Sequence, residues 1–422
     1  MDPATLILAT LPPAGARSSA RQRRPSGARQ RSTVKSTAGE PAFTGRETEL
    51  DAIAAMLRDE RVVVLHGAPG VGKSRLAREY AHRNADEYPG GMYFIPFEQP
   101  PPVELAKLLR DTDRSAGPDE AIEDQCRRAL RGLGSAGRTL LIYDAIADER
   151  TLRAWLPYDG LDWHLVVTST SSRWARAWNR VDVGRLRPDA ERALVASIVG
   201  DDAADQLTTR LAARADGVTI ELCASAAAAY ERLRRGRSVE HVAAELSTEA
   251  TSSFESAWTL LSPEARLMLQ VASTYVMPRF PAVLVVDALQ RIGWETSTIE
   301  DAIDEARDRM LAAGDAESLQ IHQLVARFVR TRGPLDELVE RSLFRGLLEA
   351  ARAFELHPGD LDLRALMQAH SHRADDWANF ITDGSEWHVV GRAIAELGRF
   401  EDARPWFERA VAAKERATCT DA

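Results

Sequence analysis

The chain has 422 residues, enough for about three domains, and 45% of them are hydrophobic, so a large core can form. Its 54 lysines and arginines against 63 aspartates and glutamates give a net charge of −9, which argues against a protein whose whole surface binds nucleic acid. The cysteines Cys126, Cys223 and Cys419 lack the spacing of metal ligands. No apolar run approaches the roughly 20 residues of a membrane span, so we expect a cytoplasmic protein without a membrane segment.

Residues 1–40 differ from the rest of the chain in composition. They contain seven basic residues and only two acidic ones, with many Ser, Pro, Ala and Gly residues and no hydrophobic period. This composition predicts a disordered basic arm. Two interpretations stay open: a solvated tail without a specific role, or an arm that contacts nucleic acid or an acidic partner.

A phosphate-binding pattern follows the first predicted strand. Residues 61–66 contain the apolar, mostly β-branched run Val62-Val63-Val64-Leu65, which predicts a buried strand, and residues 74–81 have the pattern of a helix. The segment between them matches G-x-x-x-x-G-K-[ST], in which glycines turn backbone N–H groups toward an anion at a helix N-terminus. We predict ATP or ADP binding, with Lys73 on the phosphates and Ser74 on Mg²⁺. The predicted binding residues are Gly67, Ala68, Pro69, Gly70, Val71, Gly72, Lys73 and Ser74.

A second apolar run, residues 139–144, ends in Asp144. The carboxyl end of a buried parallel strand lies beside the phosphate loop in open α/β sheets, so we predict that Asp144 holds Mg²⁺ with Ser74 and joins Lys73 in catalysis. Residues 164–170 predict another strand of this sheet, ending in hydroxyl groups. Arg173 is the nearest cation after that strand, and a phosphate-sensing role and an ordinary surface position stay open.

The pattern of elements predicts a P-loop α/β domain over 41–185, a helical lid over 186–248 and a winged-helix domain over 249–333. In the third unit we predict one helix over 257–271 and a strand over 319–322. Acidic residues crowd the helix that would enter a DNA groove, so we interpret this unit as a packing module.

Residues 334–422 are predicted to be helical to the end. Gly398, Phe400, Ala403 and Phe407 fit one helix-turn-helix repeat of about 34 residues, in which small residues let two helices approach and aromatic rings fill the space between them.

These pieces, in this order, resemble the NB-ARC branch of the STAND signalling NTPases, and more narrowly the actinobacterial kind with tetratricopeptide repeats. The FTGRE segment at 43–47 resembles the family's first motif, residues 67–74 its Walker A motif and residues 140–144 its Walker B motif. The resemblance implies that Arg46 contacts the adenine side of the nucleotide. It also implies that His322, in the IHQLV segment, reaches the β-phosphate of ADP in a closed state; alone, His322 would be an ordinary half-buried histidine.

Three positions depart from the family pattern. Ala145 stands where Asn or Asp is usual, Thr170 where the strand usually ends in Arg, and Thr219 where the lid usually has a proline that packs on adenine. The binding groups are therefore kept better than the groups for hydrolysis and sensing.

The resemblance implies an ATP/ADP-dependent signalling switch with slow ATPase activity. Such a switch opens and assembles, with a homo-oligomer in the ATP state as one option, and senses a protein partner through its C-terminal helices. Two alternatives stay open: a degenerate scaffold or adaptor with little hydrolysis, and a DNA-associated transcriptional regulator that uses residues 1–40 and the winged helix.

Overall fold

The computed structural model describes residues 41–97, 102–112, 120–133, 137–248, 253–275, 277, 279–314, 317–381 and 383–420. The basic arm predicted for residues 1–40 lies outside the described residues.

The amino-terminal part of the described chain is built on a parallel sheet. Its elements are α1 (Glu47–Asp59), β1 (Val62–His66), α2 (Lys73–Arg83), a 3₁₀ helix (Ala85–Glu87), β2 (Gly91–Pro96), α3 (Val103–Thr112), α4 (Ile122–Gly132), β3 (Thr139–Asp144), α5 (Glu149–Ala154), β4 (Trp163–Ser169) and β5 (Asn179–Asp182). Within the described residues five strands pair in the order β2-β3-β4-β1-β5, each pairing parallel. The carboxyl ends of β1, β3 and β4 therefore share one edge.

Helices cover both faces of this sheet. In β1, Val63 and Leu65 pack with α1 and α2, whereas Val64 packs with α3 and α4 on the other face. All three side chains are fully buried, which explains why the strand is a continuous apolar run instead of an alternating one. The predicted α/β fold with a parallel sheet is confirmed.

A helical region follows the sheet and has a core of its own. It consists of α6 (Pro188–Val199), α7 (Asp201–Ala215), α8 (Thr219–Arg234) and α9 (Val239–Thr248). Leucines and alanines from all four helices form this core. It is the region that the sequence predicts as a lid.

The next region combines helices with a small sheet. It consists of α10 (Ser253–Thr259), α11 (Pro263–Ala272), β6 (Arg279–Pro281), α12 (Val283–Gln290), α13 (Thr296–Asp308), β7 (Ala313–Gly314), β8 (Ser318–Gln320) and α14 (Gln323–Arg330). The described strands pair antiparallel in the order β6-β8-β7. The single helix predicted over 257–271 is wrong: Ser262 accepts a hydrogen bond from the Ala265 amide and starts a new helix, with Pro263 as its first residue.

The C-terminal region is helical, as predicted. It consists of α15 (Glu337–Leu356), α16 (Leu361–His370), a 3₁₀ helix (Ser371–Phe380), α17 (Gly384–Glu396) and α18 (Phe400–Thr420). One hydrophobic core runs from α10 through α17, so these helices and the region with the small sheet pack as one unit. No helix among the described residues combines the length and apolar composition needed to cross a membrane.

The last helix pair packs differently from the prediction. The close approach occurs at Gly391, where an added Cβ would lie 3.0 Å from the Phe407 ring. Gly398 has φ +80° and no atom within 4 Å of an added Cβ, so it serves the turn after α17. Phe400, predicted to fill the space between the helices, is 70% exposed because it begins α18, and Trp406 is buried instead.

Candidate nucleotide site

The phosphate-loop segment lies at the carboxyl end of β1 and leads into α2. A Cβ on Gly67 would lie 2.3 Å from the Val183 carbonyl oxygen, so only glycine fits against the chain that leaves β5. Gly70 has φ +79°, a left-handed conformation that glycine adopts without strain. The local sequence therefore folds into the tight loop that the pattern predicts.

Lys73 is the first residue of α2 and is 8% exposed. Its Nζ donates to the carbonyl oxygens of Gly67 at 2.9 Å and Ala68 at 2.8 Å, so the ammonium group lies inside the curve of the loop. Burial lowers the pKa of Lys73, and the Asp144 carboxylate opposes this shift. The structure thus brings a cation and the predicted phosphate-binding residues together.

Ser74 and Asp144 meet at the shared edge of β1 and β3. The Ser74 hydroxyl donates to Asp144 Oδ1 at 2.6 Å, and the Thr168 hydroxyl at the end of β4 donates to the same oxygen at 2.6 Å. Thr168 Oγ1 in turn accepts from the Ala145 amide at 3.0 Å. The hydroxyl and carboxylate predicted as magnesium ligands are therefore neighbours, and Thr168 holds the same carboxylate by a hydrogen bond that no sequence pattern indicated.

Arg46 lies beneath the loop and is 8% exposed. Its Nη2 donates to the carbonyl oxygens of Gly184 at 2.7 Å and Val71 at 3.2 Å, and its Nη1 donates to Glu49 at 2.7 Å. The guanidinium group therefore fixes the backbone of the phosphate loop to the chain that follows β5. Its predicted contact with the adenine side stays a prediction.

The helical region α6–α9 contacts the tip of the loop through the start of α8. The Ile220 amide donates to the Gly70 carbonyl at 3.2 Å, and the Thr219 hydroxyl donates to the Val71 carbonyl at 3.1 Å. An added Cβ on Gly70 would lie 2.8 Å from both Val218 Cγ1 and Leu324 Cδ1. We call Val218, Ile220 and Leu324 the apolar cap; it brings α8 and α14 onto the same loop residue. Thr219, a departure from the family pattern, is used here as a hydrogen-bond donor to the loop.

His322 is the residue before α14, and its Nδ1 accepts from the Leu324 amide at 3.1 Å. Burial, with a further contribution from the charge of Lys73, lowers the pKa of His322 to about 4. His322 is therefore neutral at pH 7 and lies within electrostatic reach of Lys73. The structure places it on the loop side of α14.

Arg173 is not brought into this cluster. Its side chain is exposed, and its amide donates to Ser171 Oγ at 3.1 Å in the turn after β4. No contact within the described part of the chain joins the Arg173 side chain to the phosphate loop. Its predicted role as a phosphate sensor is untested.

The residues present fit the phosphates of a nucleotide and one magnesium ion. The loop offers backbone N–H groups at the start of α2, Lys73 offers a buried cation, and Ser74 and Asp144 offer adjacent oxygen ligands. One hydroxyl and one carboxylate suit Mg²⁺, which keeps several waters and takes its other ligands from phosphates.

Comparisons with known proteins agree with this geometry. Residues 42–157 match the family model of an AAA ATPase domain, which implies nucleotide binding. No curated protein matches the chain. The fold resembles that of a STAND protein with a tetratricopeptide repeat sensor from Pyrococcus horikoshii, at 17% identity and a TM-score of 0.53, over 90% of this chain and 59% of that one. The chain thus spans less than two thirds of that protein, and at this identity the likeness shows the fold alone.

Two other solved structures are less similar, with TM-scores below 0.5. They are a Walker-type ATPase of Pyrococcus abyssi (16% identity, TM-score 0.36, 68% of this chain and 95% of that one) and Drosophila ORC bound to DNA (12% identity, TM-score 0.34, 70% of this chain and 97% of that one). Residues 42–157 thus match an AAA ATPase domain, within a chain whose fold is that of a P-loop NTPase.

Proposed function

We propose that this protein is an ATP/ADP-dependent switch of the STAND class, with the finer NB-ARC assignment resting on the sequence motifs. In this proposal the nucleotide domain, the lid and the region with the small sheet close around the phosphate loop. The C-terminal helices sense a protein partner, and opening exposes the nucleotide domain for assembly with further copies.

The main support for this proposal is that two regions far apart in the chain contact one residue of the phosphate loop. Val218 and Ile220 come from the lid and Leu324 from α14, and all three approach Gly70 within about 3 Å of where a Cβ would lie. Such contacts place both regions where a ligand on the loop can affect them. A loop whose ligand must be sensed by both regions needs them, because a ligand shifts a conformational equilibrium only through contacts that differ between the states.

Different side chains would bind the phosphates and the magnesium ion. Lys73 and the loop amides would hold the β- and γ-phosphates, while Ser74 and Asp144 would hold Mg²⁺. When bound, Mg²⁺ and Lys73 supply positive charge where phosphoryl transfer develops negative charge. Because its Nδ1 accepts from the Leu324 amide, neutral His322 carries its proton on Nε2 and can donate one hydrogen bond to a phosphate at the loop without adding charge.

Slow turnover is the second part of the proposal. Ala145 has no side-chain group that could orient a water molecule, and Arg173 lies outside the cluster. Lys73, Ser74 and Asp144 remain in place. Binding without rapid hydrolysis suits a switch that is reset slowly.

The test is the nucleotide carried by the purified protein. We expect near-stoichiometric ADP on release from the denatured wild type and loss of it in Lys73→Ala. Lys414→Ala, which alters an exposed lysine of α18, is the matched control and should keep the nucleotide. A wild type that carries none, and whose melting temperature does not respond to Mg²⁺-ATP, would remove the switch and leave a scaffold.

A further inference from the structure

The C-terminal helices enclose a cavity of about 50 Å³ between α15, α16 and α17. Native cores hold few voids larger than a water molecule, so a space of this size marks a place where the packing is incomplete. Each of the three helices contributes to the wall, which includes Leu347, Ala351, Met367, His370, Ala393 and Ile394.

The cavity lies where two hydrophobic cores meet. Ala393 belongs to the core that runs from α10 through α17, whereas the next residue, Ile394, belongs to the small core between α17 and α18. Ala351 of α15 and Ala393 of α17 both line the cavity, and each contributes only a methyl group. The small side chains at these two positions leave the space that longer ones would fill.

The wall of the cavity is almost entirely apolar. Among the described residues that line it, His370 and Ser371 have the only polar side chains. His370 Nδ1 donates to the Leu366 carbonyl at 2.9 Å, and its ring lies edge-on to Tyr275 with the centroids 5.5 Å apart. A water molecule in a cavity needs two to four polar partners, which this wall does not offer. The wall therefore suits an apolar group.

The cavity reaches the surface at Ser371 and Val390. These two lining residues are half-buried, whereas the others are buried. Ser371 Oγ accepts from Arg399 Nη1 at 2.6 Å, so its own hydrogen points away from that bond and can be donated to another acceptor. Arg399 also lies 2.7 Å from Asp402, which balances its charge. The mouth thus combines a hydroxyl donor with an ion pair that carries no net charge.

The size of the cavity limits what can enter it. One water-sized atom needs about 10–15 Å³ of such space, so about three or four heavy atoms fit. An engineered apolar cavity of about 150 Å³ takes benzene, and the present cavity is too small for such a ring. It fits the end of a short aliphatic chain.

We propose that this cavity is a binding site for a small neutral aliphatic molecule with one acceptor oxygen, such as a short-chain ketone. The hydrocarbon end lies beside Met367 and Ala393, and the oxygen accepts a hydrogen bond from Ser371. The site is separate from the phosphate loop, and its occupancy does not depend on the proposed switch.

The experiment follows the methyl group of Met367 in the full-length protein, labelled with ¹³C at its methionine methyl groups. The signal of Met367 is identified by its loss in Met367→Leu. The probe is 2-pentanone, and butanoate is compared with it because it has the same propyl group and a charged head. Ala393→Leu adds three carbon atoms to the wall, and Ser371→Ala removes the donor. Ala154→Leu, at an exposed alanine at the end of α5, is the matched control.

We expect the Met367 signal to shift with 2-pentanone and to saturate, with the weak affinity of a ligand that has few atoms. Ala393→Leu should abolish the shift because its side chain fills the cavity. Ser371→Ala should weaken binding about two- to tenfold, the loss expected for one hydrogen bond. Ala154→Leu should bind as the wild type does, and butanoate should bind more weakly than 2-pentanone.

Three results would overturn the inference. A Met367 shift that grows linearly with concentration would be a solvent effect without a site. Saturable binding that persists in a folded Ala393→Leu protein would place the site elsewhere. Tighter binding of butanoate would mean that the ligand class is anionic. If Ala393→Leu does not fold, Ala351→Val adds two carbon atoms from α15 and should weaken binding for the same reason.

Discussion

The Asp144 carboxylate is positioned by the protein itself. Two hydroxyl groups, from Ser74 and Thr168, donate to the same oxygen, and each bond is 2.6 Å long. Because Thr168 also accepts from the Ala145 amide, the backbone after β3 is drawn toward β4. This chain of bonds gives the turn at Ala145 its shape.

Ala145 has φ +65°, a left-handed conformation that alanine rarely adopts. We expect Ala145→Asn to raise the free energy of unfolding by about 0.5–1 kcal/mol, since Asn tolerates this region better. Chemical denaturation without nucleotide measures the effect. Ala147→Asn, an exposed neighbour whose φ is not positive, is the control and should be neutral. No gain at Ala145 would mean that the turn is not strained.

At the scale of elements, the strands that run unbroken through the core could be predicted, because burial on both faces makes them apolar throughout. The edge strand β5 could not. It has four residues, one of them buried, and its pairing with β1 depends on main-chain bonds that any sequence can make. The boundary between α10 and α11 was missed for another reason: the apolar period continues across it, although Ser262 followed by Pro263 is a signal for a helix start.

The candidate site likewise contains some residues that could be predicted from the sequence and others that could not. Lys73, Ser74 and Asp144 follow from a local pattern or a strand end. The partners of Arg46 are main-chain carbonyls, which leave no trace in the sequence. Val218, Ile220 and Leu324 are ordinary apolar residues whose contact with Gly70 arises only from the packing of three regions.

The start of α14 makes stability depend on pH. His322 has a pKa of about 4, below its ordinary 6.5, so the unfolded chain takes up the proton first as pH falls. The stability present above pH 6.5 is therefore lost between about pH 6.5 and 4. Buried His164, whose pKa is also about 4, contributes to the same window.

We expect His322→Asn to reduce the loss of stability between pH 7.5 and pH 5 by about 1–2 kcal/mol. Asn keeps an acceptor for the Leu324 amide and carries no titrating group. Denaturation curves at the two pH values measure the difference, with His241→Asn, an exposed histidine of α9, as the control. An unchanged loss in His322→Asn would mean that His322 is already solvated in the folded protein.

At the scale of the whole molecule, the apolar cap can be tested with two glycines. Both Gly70 and Gly72 have positive φ, but an added Cβ meets Leu324 and Val218 only at Gly70 and has no atom within 4 Å at Gly72. We expect both alanine variants to lose about 1–2 kcal/mol from backbone strain. Gly70→Ala should lose about 1 kcal/mol more, because the cap must shift.

Hydrogen exchange of the Ile220 amide, which donates to the Gly70 carbonyl, distinguishes the two variants. It should rise in Gly70→Ala and stay near the wild-type value in Gly72→Ala. Equal exchange in both would show that the cap does not rest on the loop in solution.

The packing of the apolar cap over Gly70 also affects how long a nucleotide stays bound. Side chains from two separate regions close over it, so phosphates held by the loop cannot leave on this side until one region retracts. We expect the dwell time of the nucleotide to follow the rate of that retraction more than the strength of the nucleotide's own contacts, as is known for enzymes with lids. If retraction limits release, ADP and a weaker-binding analogue should be released at equal rates. The time for which a nucleotide stays bound would then be set by the movement of three side chains, those of Val218, Ile220 and Leu324.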